Sequence, residues 1–426
     1  MKLELDILNI KDVQFGEKTA ISDSVLYINR GELKGLLQQD KRFKKVEIQI
    51  AHPGERCRIL RVSDVIEPRA KIKGGEDFPG VLGRGTAGEG NTCVLRGVAV
   101  AMSDDSEGRD LSRDPNGEII DMSGPGAEFS PYGKTHNVVV LSYPADGTSL
   151  NDYRIALKFA EVKTAAYIGK AGKNLKPYKV EVYDLPRQGK TPKELEVLPK
   201  VAYIFQIFSA QFQALENEPI LYGASIERFV PTILHPNEVL DGAIVNPYRG
   251  MGIETYQIQN HPIIKELYRR HGKDLCFAGV VLTVAHNNEA ESERSTNMAS
   301  NLAKWVLGAD GAILTKSGGG APEVNLAQTA NRCEEIGVKT ALAIWEIAAD
   351  GSPESSTLFN SPGIDALVSM GTPMVTVSLP AMERIIGRAI DLPNAPSIGG
   401  QTERLARLIR GVVGQLGNSD LVTVRS

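Results

Sequence analysis

The chain has 426 residues and only four cysteines, Cys57, Cys93, Cys276 and Cys333, far apart and with no CxxC pair. So few thiols in so long a chain argue against a disulfide framework and for reduced thiols in a cytoplasmic protein. No run approaches the ~18 apolar residues of a membrane span. The opening MKLELDILNIKDVQFG alternates charged and apolar residues and lacks the apolar core of a signal peptide. No charge excess is present: the net charge is -4 with 23% charged residues, which gives no reason to expect nucleic acid or a membrane surface as a partner. The six histidines contain no HExxH pair. The most specific absence is local. The ten residues Asp241-Gly242-Ala243-Ile244-Val245-Asn246-Pro247-Tyr248-Arg249-Gly250 contain no cysteine, serine or threonine.

Hydrophobic residues make up 42% of the chain, enough for a sizeable core, and the length suggests roughly two to three domains. The fold class expected is α/β: a β-rich amino-terminal region followed by parallel-sheet α/β units. Residues 1–130 form the β-rich part, where VLYINR, KVEIQIA, RCRILRV and TCVLRGVAVAM are short, β-branched and bounded by turn residues. Residues 103–118 are polar and turn-prone, as for an exposed loop or mobile hairpin, and residues 186–196 suit a surface connection. Residues 131–250 form a first α/β unit: strand HNVVVLSYP, helix SLNDYRIALKFAEV, strand KTAAYIGKAG, then KVEVYDL and PKVAYIFQIFS. Residues 251–426 form a second, with strand LCFAGVVLTVAH, helix ERSTNMASNLAKWVLG, strand ADGAILTKSGGG, helix VNLAQTANRCEEIG, strands VKTALAIWEI and DALVSMG, and a final helical region. Near-continuous apolar runs between helices predict a parallel sheet covered on both faces. The shared layout suggests a duplicated α/β unit, although any two βαβ units look this alike.

Ligands of open α/β sheets bind outside the carboxyl ends of the strands. Those ends supply Ser142-Tyr143-Pro144, Gly169-Lys170-Ala171-Gly172, Ala285-His286-Asn287-Asn288 and Lys316-Ser317-Gly318-Gly319-Gly320. A glycine loop between strand and helix can offer N–H groups to an anion, although its spacing matches neither a P-loop nor GxGxxG; a tight turn is the alternative. Asn287, Asn288, Lys316, Ser317, Gly318 and Gly319 are the substrate-binding candidates. The catalytic candidates are Cys93, His286 and Asp121. Cys93 follows a glycine loop at the start of a strand, where a thiol can be nucleophile, metal ligand or inert core. Asp121, in Asp121-Met122-Ser123-Gly124-Pro125-Gly126, can also simply brace a rigid turn. His52, Glu55 and Cys93 are the metal candidates for zinc or another divalent ion, against which positions 52 and 55 of one strand face opposite ways.

Several ordered strings resemble a known family. They include Lys11-Asp12-Val13-Gln14-Phe15-Gly16-Glu17-Lys18-Thr19-Ala20, Asp64-Val65-Ile66-Glu67-Pro68-Arg69, the Asp121–Gly126 motif, Asp241-Gly242-Ala243-Ile244-Val245, Glu293-Arg294-Ser295-Thr296-Asn297-Met298-Ala299 and Gly308-Ala309-Asp310-Gly311. Together they resemble the α/β proprotein subunit of component B of glycine, sarcosine and betaine reductases, to which a D-proline reductase subunit is related. The resemblance implies cleavage at a cysteine just past Asp-Gly-Ala-Ile, giving a pyruvoyl group that captures an amine substrate. It also implies a partner subunit carrying a selenocysteine or cysteine nucleophile. Here Asn246-Pro247-Tyr248-Arg249 stands in that place, so no pyruvoyl is expected. Thr255 is the next hydroxyl. Cys93 is a second departure, standing where the family is expected to carry histidine.

The function expected is therefore a subunit of a C–N bond-cleaving enzyme for a small amine or amide, working with a thiol- or selenol-bearing partner. Hydrolysis, metal-assisted through Cys93, His52 or Glu55, is its most concrete form. The alternatives are a true reductase component B with an atypical cleavage site and a non-catalytic scaffold.

Overall fold

A computed structural model describes residues 1–104, 116–186, 193–209, 216–226, 228–247, 253–345, 364, 366–390 and 397–417. The polar loop expected over 103–118 and the connection expected over 186–196 fall largely outside these residues, as do Tyr248, Arg249 and Gly250.

The amino-terminal region is β-rich. In chain order it holds β1 (Lys2–Asn9), β2 (Asp12–Phe15), β3 (Ala20–Ser22), β4 (Val25–Ile28), α1 (Arg30–Leu37), β5 (Phe43–Ala51), β6 (Cys57–Ile59) and β7 (Val62–Ile66). Then come β8 (Arg69–Lys73), β9 (Gly90–Arg96), β10 (Val98–Asp104), β11 (Ile120–Asp121), α2 (Pro125–Glu128), β12 (His136–Pro144), α3 (Leu150–Gly169) and β13 (Lys179–Asp184). Alternation decides which face is inward: Leu3, Leu5 and Ile7 of β1 are buried, while Glu4 and Asp6 between them are not. Two four-stranded sheets result, β13-β1-β9-β8 and β5-β12-β10-β7, with a small third sheet β2-β4-β3. Helix α3 fills the space between the larger two, sharing a core with Leu8 and Leu95 of one and Val100 and Val138 of the other.

The strand expected over KTAAYIGKAG is instead the second half of α3 and a following 3-10 turn. Nothing between Val162 and Ala165 breaks the helix, and Ala165 and Ala166 favour its continuation. Continuation also serves packing: a side chain at Gly169 would meet the Arg69 backbone at 2.4 Å. The likeness between the two sets of elements therefore stops at the helix.

The rest of the chain builds a doubly wound sheet. Its elements are β14 (Lys200–Ser209), β15 (Thr232–Leu234), α4 (Pro236–Leu240), α5 (Thr255–Gln259), α6 (Pro262–Arg270), β16 (Cys276–Ala285), α7 (Glu289–Asn301), β17 (Gly311–Thr315), α8 (Ala321–Glu335), β18 (Lys339–Ile344) and β19 (Ala366–Ser369). The order is β15-β16-β14-β17-β18-β19, with every pair parallel except β15 against β16. One face packs on α7, the turn after it and α8 through Ala299, Ala303, Leu326 and Ala330. The other packs on α4 to α6 and on Leu3, Leu5 and Ile7 of β1. Because both faces are covered, β14 and β16 are apolar almost throughout, which made them legible.

The helical region expected at the carboxyl end is not present among the described residues. Strands β20 (Thr376–Leu379), β21 (Arg384–Ile386) and β22 (Thr402–Leu405) stand there, followed by a single 3-10 turn. β20 and β22 pair with each other, β21 pairs with β6, and Ile119 bonds to Leu408 and Arg410. Tertiary pairing overrides the helical spacing of this segment. Among the described residues, no helix is long and apolar enough to cross a membrane.

Candidate functional site

The order β16-β14-β17-β18-β19 places a topological switch point between β14 and β17, because the chain leaves these neighbours in opposite directions. Lys316–Gly320 lies there, as the strand-end reasoning requires. Several of the loop's polar groups are met by the protein itself. Lys316 Nζ is buried, 2.8 Å from Glu323 and 2.8 Å from the Gly318 carbonyl. Burial draws the Lys316 ammonium below its usual range, and the Glu323 charge opposes that. The Ser317 N–H points to Gln206 at 3.4 Å, and the Gly318 N–H donates to Gln415 at 2.8 Å. Gly318 and Gly320 hold φ of 93° and 84°, which explains glycine at both places. Gly319 between them is half-buried.

The neighbouring rim is similar. His286 is held at both backbone groups by the Asn325 side chain, at 3.1 and 3.0 Å, and its Nδ1 lies 3.6 Å from Glu291. Burial lowers the His286 pKa. Asn288 caps α7 by accepting from the Glu291 N–H, while Asn287 is exposed. The predicted rim residues thus reach one sheet edge, but their polar groups mostly serve the turns that hold them. A separate apolar cavity of about 630 Å³, lined by Val201, Ile263, Leu267, Ile313 and Ala341, lies at the starts of these strands.

The remaining candidates separate. Cys93 is 1% exposed, burial pushes its thiol up to about 12, and a side chain at Gly172 would lie 2.6 Å from its sulfur. A thiol that protonated is a core residue rather than a nucleophile. Asp121 is fully buried and gives both oxygens to Arg58, at 2.6 and 2.8 Å, which fits bracing. His52, Glu55 and Cys93 do not form a ligand set. Glu55 accepts from the His52 N–H and pairs with Arg384 at 2.6 Å. Among the described residues, the group that could hold a metal is Asp12, His52 and His136.

A denser polar site surrounds Asp241, Asn246, Glu254 and Thr255. Asp241 is gripped by Thr92 at 2.6 Å, the Gly88 N–H at 2.7 Å and Lys71, while Arg69 donates to the Leu240 carbonyl at 2.5 Å. Asn246 is 1% exposed. Lys158 Nζ donates to its carbonyl at 2.5 Å, and its N–H donates to Thr255 Oγ1 at 2.9 Å. Thr255 in turn donates to Asp64 at 2.5 Å, and Asp64 also accepts the Thr255 N–H at 2.9 Å. Lys158 pairs with Glu218 at 2.7 Å. Glu254 accepts from Tyr132 at 3.0 Å and lies 3.4 Å from Arg410.

Around Asn246 and Thr255 acids outnumber bases: Asp64, Glu161, Glu218 and Glu254 stand against Lys158 and Arg410, while Asp241 is matched by Lys71 and Arg69 by Glu67. Burial raises the pKa of Asp64, against the opposing Thr255 bonds, and of Glu254, against Arg410. Burial and then the Asp64 charge push Glu161 well above the carboxylate range. Neither oxygen of Glu161 has a well-formed hydrogen bond, and the side-chain amides of Asn246 and Gln257 have no partner among the described residues. Such a cluster can keep carboxyl groups protonated near neutral pH, hold and transfer protons, and favour a cationic or N–H-bearing guest.

Pattern reading missed this cluster because its members come from six separate segments. One signal was available. Helix α3 is buried nearly all round, yet carries Lys158 and Glu161 one turn apart at 0% exposure. Two charges inside a buried helix need a polar site around them.

The whole-chain comparisons converge. Residues 1–408 match the family described as glycine/sarcosine/betaine reductase component B subunits. The glycine reductase complex component B subunits alpha and beta of Acetoanaerobium sticklandii are 38% identical over 392 residues, 91% of this chain and 89% of theirs. The sarcosine reductase complex component B subunit alpha of Peptoclostridium acidaminophilum is 38% identical over 394 residues, with 91% and 89% covered. The betaine reductase complex component B subunit alpha of the same organism is 34% identical over 417 residues, with 96% and 89% covered. No solved structure matches the chain.

Proposed function

The chain belongs to the glycine/sarcosine/betaine reductase component B subunit family, and from that premise we propose that it is the amine-handling subunit of a multi-component, C–N bond-cleaving enzyme. A small amine or amide sits beside Asn246, recognised by the surrounding carboxyl groups. Glu161 or Glu254 supplies the proton that a leaving nitrogen needs. A second subunit, with a thiol or selenol, shares the site.

The observation that carries this reading is the acid excess around Asn246, at the segment where this family is expected to be processed. A pyruvoyl group does not fit residues 241–247, which offer no hydroxyl or thiol to start the acyl shift. In its finer form the reading therefore has an intact chain and cleavage of the C–N bond by water, with no metal drawn from His52, Glu55 and Cys93. Intact-mass measurement tests the first part: a single 46.1 kDa chain is expected. Turnover of candidate amines and amides, with partner subunit and without a reductant, tests the second. Product formed only when reductant is supplied overturns hydrolysis.

One contact favours a second reading. Thr255 Oγ1 donates to a buried carboxylate at 2.5 Å, the arrangement of a hydroxyl nucleophile with its base. Cleavage before Thr255 would leave a 2-oxobutanoyl group, not a pyruvoyl, and would make this a reductase subunit with a displaced processing site. Two unequal fragments in place of the intact mass would establish it.

A further inference from the structure

Away from the Asn246 site, three side chains from separate strands converge. Asp12 starts β2, His52 follows β5 and His136 starts β12. We propose that Asp12, His52 and His136 form a binding site for a divalent cation of the zinc class, with a fourth coordination position left open.

The spacing fits the ion. His52 Nδ1 and His136 Nδ1 lie 3.0 Å apart, and Asp12 Oδ1 lies 3.6 and 3.9 Å from them. Around a tetrahedral ion with ligand bonds of about 2.0–2.1 Å, donor atoms stand about 3.3 Å apart. The three separations straddle that value, so small side-chain adjustments complete the set. The two rings stand at 78°, which lets both nitrogens point at one place.

The surrounding groups orient the donors as metal sites do. The Lys11 carbonyl lies 2.9 Å from His136 Nε2 and can only accept, so Nε2 carries the proton and Nδ1 presents a lone pair. Gln14 donates to Asp12 Oδ2 at 2.6 Å, and the Val13 N–H donates to Oδ1 at 2.8 Å. The His52 N–H is fixed by Glu55 at 3.0 Å. Arg384, one nearby cation, is paired with Glu55 at 2.6 Å, which lessens its repulsion of a second positive charge. His52 and Arg384 also line an open cavity of about 440 Å³ with Phe15, Arg30 and Gln49, from which water or a small anionic ligand can reach the fourth position.

A cation here would also join two sheets. Asp12 belongs to the small β2-β4-β3 sheet, and both histidines flank the β5-β12-β10-β7 sheet. Imidazole and carboxylate donors suit zinc and, as a spectroscopic substitute, cobalt(II). The site lacks cysteine, which distinguishes it from any set that includes Cys93.

The test uses the full chain, stripped with chelator and titrated with cobalt(II) and then zinc. One cobalt per chain is expected, with visible d–d absorption of a four-coordinate site, no thiolate charge-transfer band, and loss of the colour on adding zinc. Zinc should raise the unfolding temperature of the wild type. H136A and D12N should abolish both the absorption and the zinc-dependent shift, while C93A and E55Q retain them. Circular dichroism and metal-free unfolding temperatures show whether the variants fold, and H52Q provides a second ligand variant if one does not. Absence of saturable cobalt binding, persistence of the signal in both H136A and H52Q, or a thiolate band overturns the proposal. Binding that survives all ligand variants likewise overturns it, since the ion then sits elsewhere.

Discussion

Lys316 and Lys158 are both buried ammonium groups close to a carboxylate, 2.8 Å from Glu323 and 2.7 Å from Glu218, but their surroundings differ. At the strand-end rim, Lys316 also serves the Gly318 carbonyl, and the adjoining N–H groups reach Gln206 and Gln415. Around Lys158 two further acids, Asp64 and Glu161, crowd in, and the side chains of Asn246 and Gln257 lack partners among the described residues. At the rim the lysine and the loop N–H groups at Ser317 and Gly318 are met, and the unmatched atoms there are the two oxygens of Glu323. A region left with unmatched polar atoms and excess acid costs stability, which is the usual mark of a site shaped for something else.

The largest expected effects test the shared feature. K158M and K316M each strand a buried carboxylate, so each should cost about 3–5 kcal/mol in urea denaturation. If K316M lost turnover while keeping wild-type stability, the rim would be the active region and the contrast would fail. T255V removes a donor to Asp64 and an acceptor for Asn246, and should cost ~1–3 kcal/mol. Its intact mass sharpens the comparison further: wild type and T255V share one undivided chain in the first reading, whereas only T255V stays whole in the second.

E161Q should act in the opposite direction and stabilise the chain by ~1–3 kcal/mol at pH 8, because it removes a desolvated acid. The sign follows from linkage. A carboxyl whose folded pKa is raised contributes stability below its unfolded pKa of about 4.3 and loses it as pH rises through the folded value. The gain from E161Q should therefore vanish near pH 4 and grow with pH. His261 gives the reverse case. It is fully buried against Tyr203, and burial lowers it to about 3. It must gain a proton on unfolding, so its contribution is present above about pH 6.5 and is lost as pH falls toward 3. H261Q should flatten that acid limb. An E161Q gain independent of pH would break the assignment of excess charge to the Asn246 region.

The smallest effects concern Cys93. With its thiol at about 12, the thiolate fraction at pH 8 is on the order of 10⁻⁴, so alkylation of the native chain should be negligible at this residue. C93A should leave turnover unchanged and cost about 1 kcal/mol. Rapid native-state labelling of Cys93, followed by loss of activity, would return it to the catalytic candidates.

Several features were set by the amino-acid order alone. The strands β14 and β16 announce themselves as continuous apolar runs because a sheet covered on both faces leaves no polar side. The N-terminal strands follow from β-branched runs between glycine turns, and the absence of cysteine, serine and threonine over residues 241–250 is a statement of composition. The family likeness, carried by ordered strings along the chain, was legible for the same reason.

Tertiary structure alone decided the rest. Lys163–Gly169 and the segment after Thr376 could each form helix or strand by local preference, and the choice came from what they pack against and bond to. Cys93 follows a glycine loop in sequence, which leaves nucleophile, ligand and core all open, whereas the fold buries it and burial raises its thiol pKa. His52 sits three residues from Glu55, but the third dimension pairs it with His136, 84 residues away, and with Asp12. Asp64, Lys158, Glu161, Asn246, Glu254 and Arg410 carry no shared motif. They become one site only because the fold brings distant segments of the chain into one buried volume, where each charge is felt by the others.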